Sequence, residues 1–104
     1  MQLEKVWAIN KLIKNLNQEC RYQRIPYPMI EEQNTDIPYI ALDTCNGEAT
    51  IFLPWNYTDF DYWVVREWII HEYAHLLFPS CRRHMQCSHC QGFWMYFEYL
   101  KNRM

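Results

Sequence analysis

Residues 58–79 read TDFDYWVVREWIIHEYAHLLFP, and this stretch decides the fold. Thr58 or Asp59 can accept a first free backbone N–H and Pro79 supplies a stop, so the pattern predicts a helix running from there to Phe78. Val64, Trp68, His71 and His75 fall on one face of it, with Trp68 expected to pack beneath the histidines. Upstream, Ile37–Leu42 and Ala49–Leu53 are apolar and extended, and Asn46-Gly47 between them supplies the positive φ angles of a tight hairpin turn. Pro26 and Pro28 end the first helix, residues 2–22, and restrict residues 25–32 to an edge-type strand. Residues 2–22 place Leu3, Val6, Trp7, Ile9, Ile13, Leu16 and Cys20 at helical spacing, opposite Lys11, Lys14, Asn15 and Gln18. Downstream, residues 79–87 read as a loop, and Ser88 with Gln91 has the spacing of a capping box that opens a last helix to about Asn102. Helix, three strands, helix, helix is the order of an α+β domain filling residues 1–104.

Composition narrows the function classes. The chain has 104 residues, half of them hydrophobic and 17% aromatic, a load that disorder does not carry. Ten basic against twelve acidic residues give a net charge of −2, which disfavours a strongly basic nucleic-acid module. No apolar run approaches the roughly 18–20 residues of a membrane span. The opening MQLEKVWAINKLIKNL is broken by Glu4, Lys5, Asn10 and Lys11 and does not read as a signal peptide, so a cytoplasmic location, in cell or host, is expected. Without an export signal, the five cysteines suggest metal ligands or reduced thiols more than disulfides.

The chemistry is concentrated in residues 71–98. His71-Glu72-Tyr73-Ala74-His75 is an H-E-x-x-H sequence on the predicted helix. Histidines at i and i+4 project one turn apart and can share one Zn²⁺, while the neighbouring glutamate reaches water rather than metal. Two ligands leave a catalytic zinc site short of its usual third. Cys81, His84, Cys87, His89, Cys90 and Glu98 are the candidates. Cys81 stands where a metzincin has its third histidine, but Phe78 occupies the glycine position where that chain must turn. On a helix beginning at residue 89, His89 and Glu98 point about 180° apart. His89 shares the apolar face of Phe93, Tyr96, Phe97 and Leu100, and Glu98 the wet face, which favours His89. His84 remains an alternative ligand or oxyanion donor, and Glu98 the ligand of a gluzincin-type alternative. Cys81, His84, Cys87 and Cys90 together suggest a second, structural zinc site, with only two residues joining the pairs. Tyr57, Tyr62 and Tyr73 are unranked phenol donors, and Arg82-Arg83 reads as a solvated pair.

The run His71-Glu72-Tyr73-Ala74-His75-Leu76-Leu77, eleven intervening residues, then His89-x-x-x-Phe93-x-x-x-Phe97 resembles the SprT-like zinc metallopeptidases. The likeness covers roughly residues 45–100, including strand Thr50–Leu53 and the following Pro54-Trp55-Asn56. It implies a zincin-like minimal domain without the C-terminal zinc ribbon that several members carry. It further implies one catalytic Zn²⁺ on His71, His75 and His89, Glu72 as general base, and a protein or peptide substrate, with nucleic acid a partner by family analogy alone and no membrane. Such a peptide would lie along an exposed strand edge offered by residues 49–53 or by the Pro-bearing residues 25–32, with 49–53 favoured because they lead into the active helix. The alternatives from other classes are a non-catalytic zinc-stabilised interaction module and a nucleic-acid-binding knuckle built on residues 81–90.

Overall fold

The computed structural model describes residues 2–42, 48–78 and 89–104. Its elements are helix α1 (Gln2–Tyr22), strands β1 (Met29–Gln33), β2 (Tyr39–Leu42) and β3 (Ala49–Pro54), helix α2 (Tyr62–Leu77) and helix α3 (Gln91–Arg103), with a 3₁₀ turn, Tyr57–Asp59, ahead of α2. Over the described residues the arrangement is a compact α+β fold of three helices and a small mixed sheet. No described helix is long and apolar enough to cross a membrane.

The sheet order is β1-β3-β2, with β1 parallel and β2 antiparallel to β3. Ala49, Ile51 and Leu53 alternate inward from β3, and Ile30 and Ile40 flank Ile51 in register from either side. On the opposite face Tyr39 stacks on Phe52 with ring centroids 4.8 Å apart. This order corrects the expectation that residues 49–53 form the open edge. A strand carrying alternating buried residues is worth most in the middle, where both ladders and the core use it. The open edges are β1, which exposes Glu31 and Glu32, and β2, which lies beside α2.

Helix α2 lies between α1 and α3 and is buried on most of its circumference. Val65, Ile69, Ile70, Tyr73, Ala74, Leu76 and Leu77 meet Ile9, Leu12, Leu16 and Cys20 from α1 and Phe93, Phe97 and Leu100 from α3. The buried stripe of α1 is therefore 9-12-16-20. Leu3 and Trp7, expected on it, are exposed, because the core ends short of the first two turns.

Both later helices begin after their expected starts. Thr58 and Asp59 belong to the 3₁₀ turn, whose Thr58 carbonyl and the Phe60 carbonyl both accept from Lys5 Nζ at 2.9 Å. Asp61 is the true cap of α2, accepting the Trp63 N–H at 2.9 Å. The helix ends at Phe78, whose ψ of 118° is the extended value that a following proline demands. Helix α3 is capped by Cys90 and starts at Gln91, so residue 89 precedes the helix instead of opening it. Asn46-Gly47, residues 79–88 and the Ser88 cap lie outside the described residues.

Candidate metal centre

Position on α2 explains two of the three imidazoles. His71 and His75 stand one turn apart on the side of α2 turned toward α3, both half-buried, with ring centroids 4.6 Å apart. His89 reaches them from the segment just ahead of α3, through a left-handed backbone conformation (φ 55°). A residue with a Cβ adopts that conformation at a cost of about 1–2 kcal/mol, so the surroundings hold it there. Because α3 begins two residues after His89, this imidazole meets the other two from ahead of the helix and not from the helix's apolar face.

Nε2 of His89 lies 3.1 Å from Nε2 of His71 and 3.1 Å from Nε2 of His75. One ligand atom from each histidine falls within 4.8 Å of the other two. A neutral imidazole nitrogen carries either one proton or one lone pair, so hydrogen bonding serves this trio poorly. A cation at the centre serves all three. Nitrogen ligands about 2.0–2.1 Å from a tetrahedral ion stand roughly 3.3 Å apart, close to the spacing observed.

Each ring has a distinct support. His71 donates its Nδ1–H to Glu72 Oε1 at 3.0 Å, which leaves the Nε2 lone pair facing the trio. His75 is stacked on Phe93, centroids 4.4 Å apart and planes 23° from parallel. Burial, then the neighbouring His71 and His89, push the His75 pKa down to about 4, so its ring is neutral at pH 7 and able to ligate. His89 is stacked on Trp94 at 5.4 Å and 25°. Glu72 itself is only 4% exposed, a buried carboxylate whose His71 contact partly answers its desolvation.

The other sequence candidates fall elsewhere. Glu98 is exposed and sits 3.8 Å from Lys101 Nζ, a solvated charge outside the trio. Cys90 is exposed and caps α3. Cys81, His84 and Cys87, and with them the second-site reading and Arg82-Arg83, lie outside the described residues. Among the described residues the three histidines form the one grouping able to hold a metal ion. Tyr73 is a core residue: fully buried, it donates to Asn17 Oδ1 at 2.7 Å, and burial raises its pKa. Tyr57 is half-buried, its pKa raised by burial and by Glu32. Trp68 packs at the margin of the core against Phe60, at 5.0 Å. Sequence reasoning missed Trp94, since one tryptophan among five carries no spacing signal toward a histidine outside its helix. Comparison of the chain with known families, curated proteins and solved structures finds no match.

Proposed function

We propose that the chain is a minimal zincin-type, SprT-like zinc metallopeptidase. The observation that carries this reading is the convergence of His71, His75 and His89 at 3.1 Å spacings beside a buried glutamate at the second position of H-E-x-x-H. Three imidazoles suit Zn²⁺ and leave a fourth position open. Bound there, zinc would polarise a scissile carbonyl and acidify water. Glu72 supplies the base: one carboxylate oxygen holds His71, and the other takes a proton from the attacking water and returns it to the leaving amine. An extended peptide has β2 as the edge to join, since among the described residues β2 is unpaired on its outer side, and it lies against α2.

One observation favours a second reading. A carboxylate hydrogen-bonded to a ligand histidine is also the arrangement by which proteins orient metal ligands in sites with no chemistry, so the centre could brace a small core as an interaction module. Cleavage of an unstructured protein separates the two. The parent should hydrolyse it, lose activity to a chelator, and regain it with zinc. Glu72→Gln should lower the rate at least about a hundredfold. A parent inactive on several denatured substrates, or a Glu72→Gln variant as active as the parent, rejects the peptidase reading.

A further inference from the structure

Of the three imidazoles, His89 is the one that α2 does not place. It is exposed, it precedes α3, and its backbone is in the left-handed region. Among the described residues its ring meets, beyond the other two histidines, Phe93 in a T-shaped contact at 5.1 Å and Trp94 in a stacked one at 5.4 Å. Phe93 belongs to the core and already stacks on His75. Trp94 does not belong to it. The indole is 44% exposed, one position off the Phe93, Phe97 and Leu100 stripe, and it spans from His89 to His71, 5.8 Å away, with its edge on Phe97 at 5.6 Å. A large apolar ring left half in water adds less to the core than a buried one. Its position places the indole beside two of the three imidazoles, with its plane 25° from that of the His89 ring.

We propose that Trp94 is a positioning residue of the metal centre, fixing the orientation of the His89 imidazole by stacking on its face. The inference rests on the reading of His71, His75 and His89 as a zinc site. Helix α2 pre-orders two ligands, whereas the third has a free χ1 and χ2 to lose on binding unless a neighbour restricts them beforehand. A flat aromatic face supplies that restriction, and an aliphatic side chain of similar bulk does not.

The test uses Zn²⁺ alone, titrated against a chromophoric chelator, with Co²⁺ absorption as the spectroscopic check on ligand geometry. Trp94→Ala should weaken Zn²⁺ binding about tenfold, the low end of the loss typical for groups that orient metal ligands. Trp94→Phe should recover most of that affinity and a parent-like Co²⁺ spectrum. Trp94→Leu, which keeps bulk but has no flat face, should remain weak. In a His89→Ala background, Trp94→Ala should cost nothing further, because the effect travels through His89. Parent-like binding by Trp94→Ala overturns the inference, as does equal binding by the Leu and Phe variants or an undiminished loss in the His89→Ala background. A parent that binds no zinc overturns the zinc reading itself, and this inference with it.

Discussion

In the proposed mechanism Glu72 has two jobs in one side chain, holding His71 and serving as base, and substitution can part them. Its Oε1 accepts the Nδ1–H of His71, an interaction that an amide oxygen reproduces and a methyl group does not. Glu72→Gln should therefore bind zinc within a few-fold of the parent. Glu72→Ala should bind it about 10–100-fold more weakly, as expected when a ligand histidine loses the group that sets its tautomer. Competition titration of both variants checks this, and equal affinities would show that the contact does not tune the metal. At this scale the sequence was most legible for His71, Glu72 and His75, because a helix converts their spacing into geometry with nothing else needed. His89 precedes α3, so helix phase does not decide between it and Glu98; Phe93 and Phe97 mark the inward face of α3 wherever the helix begins, and the chain entering it passes over that face.

Helix ends were harder to read than helix faces. The sequence attributes the end of α1 to Pro26 and Pro28, but the chain has already turned before them. The Arg24 N–H bonds the Arg21 carbonyl at 3.0 Å and the Ile25 N–H bonds the Cys20 carbonyl at 2.9 Å, the paired bonds of a Schellman motif. Arg24 takes the left-handed position, φ 58°, where glycine is the usual occupant. An arginine there gives no warning in the sequence. Arg24→Gly should stabilise the fold by about 0.5–1 kcal/mol, since the strain relieved at the cap exceeds the added chain entropy. A thermal melt should rise by a few degrees, and an unchanged or lower midpoint would mean that the arginine's own contacts outweigh its strain. The start of α2 was misplaced for a related reason. Lys5, 53 residues from Thr58 in sequence, captures the carbonyls of the preceding turn, and tertiary partners of this kind have no local signature. The strand order was hidden likewise: hydrophobic alternation marks β3 as buried but does not say that β1 closes its far side.

Taken whole, the molecule has its three clustered histidines at the seam between α2 and α3, so an ion held by them would bear directly on the stability of that seam. The two helices also share Phe78, Phe93 and Tyr96, and the last turn of α3 is tied back to α1 by Arg103 Nε on Glu19 Oε1 at 2.6 Å. A domain of this size has a small core to rely on, so zinc bound only by the folded chain should add about 2.7 kcal/mol at a free concentration a hundred times Kd. Chelation should then lower the melting midpoint by on the order of 10 °C. The pH dependence of the metal-free protein follows from His75. Its folded pKa of about 4 lies below the roughly 6.5 of an unfolded histidine, so between these values the unfolded chain binds a proton that the folded chain refuses. Its contribution is complete above about pH 6.5, falls as the pH drops toward 4, and levels off below. Zinc-loaded protein should lose stability over the same window more steeply, because protons also displace the metal. Denaturant midpoints of the metal-free parent and of His75→Gln, taken from pH 7.5 to 4, isolate the effect. The parent should lose stability across that range by more than the variant does, and parallel profiles would show that burial of the neutral His75 ring is not what couples this fold to pH.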